Sequence, residues 1–395
     1  MKSLCKYILP ICTLISLYLY EKSTLANVAI TSVFYGEEEV ISSTIILILF
    51  VLMSISTFFM KGIMVVSEEG RKLKNSLVAF LVYVYILSVS ISLFVPFQSR
   101  ILYFAIGLPL LSFMVVQRFL RVHRAINILY GIVVLFFLLS YQYLINYNIV
   151  HAAASDTSSN NSSYFLLYLL PFLLCIEKKY LKWMLIFIVV IAVLSSFKRG
   201  GTIAVFASLL VYYYVNNIKL TGGSLKILYL LLLLFTVFIV VSFLNSTDNL
   251  IIEHLSERFI NIKNDNGSGR SETISEALLQ FTNSDVISML FGHGWNMVEQ
   301  TLKSGISAHN DFIECLYDFG IIGFILLLRV LFAAYKYLKS LIANRSIYAA
   351  PFAASCTIFM LNTMVSHILI YPYYLLLFMA FISFVIYSSS NTEHV

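Results

Sequence analysis

The sequence predicts an all-α, polytopic integral membrane protein with about twelve transmembrane helices and one large loop on the outer side. Three observations lead there. Of its 395 residues, 60% are hydrophobic and 12% charged, where a soluble domain carries about 25% charged residues. Mean hydropathy is +0.88. Apolar runs of spanning length also follow one another with only short basic or polar breaks between them. That pattern leaves room for a single membrane domain over residues 1–395 and for no large soluble one.

Spans are predicted near 5–20, 40–60, 76–96, 100–117, 125–145, 163–176, 181–197, 201–216, 225–244, 316–338, 347–369 and 371–388. The first has a basic start and an apolar run, as a secretory signal does. No small-x-small cleavage site follows closely, so it is read as an uncleaved span. Direction comes from the basic residues, which favour cytoplasmic loops. With the N-terminus inside, most of them fall in inner connections, among them Arg71, Lys72, Lys74, Arg118, Arg121 and Arg124. Both termini are then cytoplasmic, and Arg329 lies close enough to the inner end of its span to snorkel.

The formal charge of +6 is spread over short clusters between apolar runs, as topology signals are, and argues against a nucleic-acid partner. Cys5, Cys12, Cys175, Cys315 and Cys356 form no C-x-x-C pair, so neither a disulfide framework nor a zinc site is suggested. His254, His293 and His309 show no metal-ligand spacing, no D-x-D pair is present, and metal independence is expected. The phosphate-binding pattern G-x-x-x-x-G-K-[ST] is missing, and no nucleotide hydrolysis or other cofactor is expected.

Two outer connections stand apart. "NYNIVHAAASDTSSNNSS", residues 146–163, has no Lys or Arg and reads as a mobile surface loop. The larger runs over 245–315, between the ninth and tenth spans. Leu250, Ile251, Leu255, Phe259 and Ile262 recur there at helical spacing, and "SETISEALLQF" repeats the pattern. Short amphipathic helices lying at the outer surface are therefore expected.

The candidate chemistry collects on this side. In "SSFKRGG", residues 195–201, Lys198 and Arg199 occupy a short outer turn, the wrong side for a topology signal, next to Gly200 and Gly201. They either snorkel to headgroup phosphates or bind an anion, for which a guanidinium fork is suited. In "GSGRSE", Arg270 follows a glycine-rich turn ahead of a helix start, which suits an anion or a plain surface turn. Gly292 and Gly294 bracket His293 in a turn. His309, Asn310 and Asp311 precede a segment with Phe312, Ile313, Leu316, Phe319 and Ile322 at helical spacing. Asp311 with Glu314 resembles a capping pair, which puts His309 just ahead of a helix N-terminus. An imidazole there serves either as a structural hydrogen-bonding group or as a base that titrates near neutral pH. Gly320 and Gly323 read as the small-x-x-small habit of packed membrane helices.

"FGHGWN" followed by "SAHNDFIECLYDFGIIGF" resembles the signature region of bacterial O-antigen polymerases and ligases: a G-x-G turn, a spacer, H-N, and a helix with G-x-x-G. "SSFKRGG" and "GSGRSE" fall in the family's order before it, so the resemblance covers roughly residues 190 to 330. It implies glycosyl transfer on the periplasmic face of the inner membrane, with 245–315 as the periplasmic loop. The donor would be an oligosaccharide on undecaprenyl diphosphate, and the acceptor a hydroxyl of another lipid-linked repeat unit in a polymerase, or of lipid A core in a ligase. Arg199 and Arg270 would hold the diphosphate and His309 would activate the hydroxyl. Lys198, Asn310, Gly292 and Gly294 would line the substrate site, Asn310 serving a sugar or the helix cap. Membrane lipids are implied partners, and the resemblance leaves room for a chain-length regulator protein. Polymerase is preferred to ligase. A lipid-linked oligosaccharide flippase is the reading from another class, disfavoured because the span interiors carry almost no charge.

Overall fold

The computed structural model describes residues 66–92, 109, 112–120, 125–152, 163–196, 199–221, 270–303, 305, 307–366 and 372–392. The expected spans 5–20, 40–60 and 225–244, the stretch 249–262 and Lys198 lie outside the described residues, as does most of 100–117.

All regular structure among the described residues is helical: α1 (Glu68–Ser92), α2 (Ala125–Ala152), α3 (Ser163–Leu174), α4 (Lys179–Leu194), α5 (Arg199–Tyr213), α6 (Arg270–Thr282), α7 (Val286–Phe291), α8 (Met297–Thr301), α9 (Asp311–Ala343), α10 (Ala349–Val365) and α11 (Pro372–Thr392). A π-helical segment, Tyr214–Leu220, continues α5. By length and composition Ala125–Ile145, Gly200–Leu220 and Asp311–Ala343 can cross a membrane, while Ser163–Leu174, Ala349–Val365 and Tyr374–Ser389 are apolar but shorter. The protein is a membrane protein, and among the described residues helices lie where the apolar runs predict them. One boundary moves: α2 continues through His151 to Ala152, so the start of the expected 146–163 loop is helical. No Gly or Pro intervenes there to stop it.

The chain divides into two compact units. The first includes 112–120, α2, α3, α4 and α11 from Leu376 onward. Its centre is α3, in which every residue is buried. A helix apolar on all sides has no face to give to solvent and goes to the middle of a bundle. Phe172 meets the edge of Phe381 at 4.9 Å and lies 5.6 Å from Phe384. Hydroxyls tie helices where no water competes: Ser112 Oγ donates to Leu376 O (2.9 Å) and Ser383 Oγ to Phe113 O (2.7 Å).

The second unit holds α1, α5 to α10 and the π-helical segment. Within it α5 packs along α10, and α1 and α10 pack on α9. The short helices α6, α7 and α8 gather on the first part of α9. Ala277, Phe281, Val298, Leu302, Ala308 and Tyr317 form a small core of their own there. The amphipathic reading of "SETISEALLQF" is realised: Thr273, Ala277 and Phe281, four residues apart, turn inward from α6.

Candidate functional site

The long helix α9 is two helices joined at a break. Gly320 has φ 67° and ψ −172°, a conformation that belongs to glycine alone. A break releases carbonyls from the helical ladder, and each buried one needs a donor. Tyr317 O accepts from the His293 backbone N–H (3.1 Å), Asp318 O from Gly294 N–H (2.9 Å), and Phe319 O from the Tyr83 hydroxyl of α1 (2.9 Å). The G-x-G turn therefore completes the broken ladder of α9. The approach is so close that a Cβ on Gly292 would sit 2.2 Å from Asp318 O, and one on Gly320 2.3 Å from Leu290 O. The turn needs glycine for its torsions as well, with φ 85° at Gly292 and 112° at Gly294. The expected packing glycines thus separate in role. Gly323 lies between Phe319 and Tyr83, where a Cβ would stand 2.4 Å from Phe319 Cβ and 3.2 Å from the Tyr83 ring, whereas Gly320 makes the break.

Side chains brace the same joint. The Asp318 carboxylate, fully buried, accepts from the backbone N–H groups of Asn296 (2.8 Å), Met297 (3.0 Å) and Val298 (3.3 Å), which closes the N-terminus of α8. His293 stacks on Tyr317 with ring centroids 4.3 Å apart. Its Nδ1 is 3.0 Å from Tyr317 O and its Nε2 is 3.0 Å from Ser284 Oγ. Both ring nitrogens are engaged in holding the turn.

More than two turns before the break, α9 begins at the predicted H-N pair. The capping residue is Asn310, not Asp311: Asn310 Oδ1 accepts from Phe312 N–H (3.1 Å) and Ile313 N–H (3.3 Å), and Asp311 is the first helical residue and buried. An asparagine one residue earlier reaches these N–H groups without entering the helix, as a cap must. Of the two uses expected for Asn310, the cap is realised. His309 stands before it, half-buried, with a left-handed φ of 51°. That conformation is uncommon for a side-chain-bearing residue and is held by two acceptors: His309 N–H lies 3.1 Å from Glu314 Oε1 and 3.1 Å from Ser307 Oγ. Ser307 in turn donates to the buried Glu314 carboxylate.

The C-terminal end of α10 brings two of the predicted positions together. Its last carbonyls have no partner within the helix. Arg270 Nη1 donates to Val365 O (3.2 Å), and Asn310 Nδ2 donates to the neighbouring Met364 O (3.4 Å). Arg270, the first residue of α6, and Asn310, 40 positions later, thus meet on consecutive residues of a third helix, with His309 adjacent to Asn310 in sequence. Arg199 opens α5, which packs along that same helix α10; its side chain lies outside the described residues. Asp285 is exposed, and its carboxyl is held below the usual range by hydrogen bonds from the Ser288 backbone and hydroxyl and from Ile287 N–H.

Asp318 is what the sequence reading passed over, and Glu314, read there only as part of a capping pair, instead holds His309 N–H. The signal available was three acids, 311, 314 and 318, on one face of a segment that is otherwise apolar.

Comparison with curated proteins gives no match. A family model described as O-antigen ligase matches residues 184–328, less than half of the chain but including the KRGG turn, Arg270, the G-x-G turn, the H-N pair and the break in α9. That family implies an enzyme of the glycosyl-transfer type, in the polymerase and ligase group. Residues 184–328 of this membrane protein match the O-antigen ligase family domain, which is consistent with the O-antigen ligase and polymerase superfamily.

Proposed function

We propose that the protein is a surface-polysaccharide polymerase of the bacterial inner membrane. It transfers a glycan from undecaprenyl diphosphate to a hydroxyl of another lipid-linked repeat unit on the periplasmic face. The observation that carries this reading is the meeting of Arg270 and Asn310, the residue after His309, at the end of α10. A glycan diphosphate presents two needs at one place: charge stabilisation for the departing group and a proton acceptor for the incoming hydroxyl.

In the proposed step the acceptor oxygen bonds to the anomeric carbon while the bond from that carbon to the diphosphate oxygen breaks. The electron pair leaves on undecaprenyl diphosphate, whose growing charge Arg270 and Arg199 stabilise. The hydroxyl proton passes to the His309 imidazole. A guanidinium cannot lose its proton near neutral pH, so the charge it offers is constant. With two of them on the diphosphate, the reaction proceeds without a divalent cation. Glu314 acts through His309 as a positioning residue, since it fixes the backbone from which the imidazole projects. Lys198 adds charge beside Arg199. Gly292 and Gly294 support the site through the joint in α9 rather than by touching sugar.

The test is the lipopolysaccharide ladder of a deletion strain carrying Arg199→Ala, Arg270→Ala or His309→Ala, each at normal membrane abundance. Loss of long chains with one repeat unit left on lipid A core is the expected result. Loss of every repeat unit from core, with long chains still built on lipid carrier, would reassign the protein as the ligase. A normal ladder from all three variants would overturn the proposed site.

A further inference from the structure

We propose that α7 is a monotopic membrane anchor, whose face formed by Val286, Ile287, Leu290 and Phe291 lies in the bilayer hydrocarbon at its boundary with the headgroups. These four residues fall at i, i+1, i+4 and i+5, one side of a helix, and all are exposed, Val286 and Ile287 by 71%. The opposite side supplies Met289 to the small core. From 286 to 292 the chain has no charged residue, and its polar flanks are Asp285 and His293.

What covers this face follows from where α7 is fixed. Its last turn meets the α9 backbone at the break, Leu290 O against Gly320, and Gly292 and Gly294 are bonded into the ladder just beyond. The break is also where the apolar stretch of α9 begins. Residues 321–343 rise about 35 Å as a helix, enough for a hydrocarbon core of about 30 Å. Their exposed side chains Ile325, Leu328 and Phe332 are those of a helix facing lipid. α7 is therefore held at the level where α9 enters the bilayer, and its apolar face continues the lipid-facing surface of that helix. An amphipathic segment with this placement lies in the interface with its apolar side dipped toward the acyl chains. Four contiguous large apolar groups facing water at that level would be an exposed patch of the kind soluble surfaces avoid.

The experiment places a nitroxide label on Ile287→Cys in the full-length protein, reconstituted in phosphatidylethanolamine–phosphatidylglycerol vesicles, with Ser275→Cys on the exposed side of α6 as reference. The unsubstituted chain, carried through the same labelling, sets the background from its own cysteines. Power saturation compares collision with oxygen, which concentrates in lipid, and with a water-soluble nickel chelate. The proposal expects the label at 287 to favour oxygen several-fold over the chelate relative to the label at 275. Equal chelate access at the two positions would overturn it by placing α7 in water. Protection from both reagents at 287 would overturn it equally, since protein, such as a second copy of this chain, would then cover the face. Neither result bears on whether the domain transfers glycans.

Discussion

Replacing Gly320 with alanine strikes the point on which the joint depends. Two costs add. A residue with a side chain in this region of backbone space is strained by about 1–3 kcal/mol. Its Cβ would also stand 2.3 Å from Leu290 O, 2.5 Å from Leu290 C and 2.6 Å from Gly292 N, all main-chain atoms that cannot rotate away. The 290–294 segment must withdraw, which forfeits the bonds from His293 N–H to Tyr317 O and from Gly294 N–H to Asp318 O. At about 1 kcal/mol net for each, the total comes to roughly 3–5 kcal/mol. Against a typical stability of about 5–15 kcal/mol that is a large loss. The assay is unfolding in mixed detergent and SDS micelles, followed by the fluorescence of Trp295, which is buried 6.0 Å from Phe319 beside the joint. Gly131→Ala is the control. A Cβ there meets nothing within 4 Å, and removing a glycine from a helix interior should stabilise α2 by about 1 kcal/mol. Gly292→Ala should cost much the same as Gly320→Ala, and the double variant little more than either, because both break one contact. A Gly320→Ala protein within about 0.5 kcal/mol of the parent would refute the account of α9, being no larger than an ordinary surface change.

Glu314→Gln retains a carbonyl acceptor for His309 N–H and should keep most transferase turnover, whereas Glu314→Ala should lose at least tenfold, about 1.4 kcal/mol of barrier, with donor affinity nearly unchanged; equal activity in both would remove Glu314 from the site. Asp285 has a folded pKa below its unfolded value of about 3.9, so the cap it gives α7 is complete above that pH and fades as pH falls through the lower folded value. Hydrogen exchange at Ile287 and Ser288 should therefore quicken in acid beyond the intrinsic trend, and Asp285→Asn should abolish the excess.

Much of the fold was legible because membrane insertion is decided locally. A run such as 125–145 or 347–369 needs only its own residues to satisfy its backbone and repel water, and α2 and α10 lie where those runs predict. The amphipathic period of α6 is local in the same way. Within the site, the types of group were readable and their partners were not. Nothing near Asn310 in sequence says that its amide will find Met364 O, or that Arg270 will find Val365 O, since those acceptors are ordinary main chain 54 and 95 residues away.

By itself, then, the sequence determined that this is an all-helical membrane protein and which residue types its candidate site offers. Only the tertiary structure decided what the G-x-G turn is for. Gly320 reads as one more packing glycine in an apolar helix until the Gly292 turn lies against it, and Asp318 is a misplaced acid until three N–H groups from 296–298 surround it. The reason is physical: a helix may break inside an apolar environment only if another segment supplies donors for the carbonyls it releases, and that supply is a property of the folded neighbourhood, not of either segment alone.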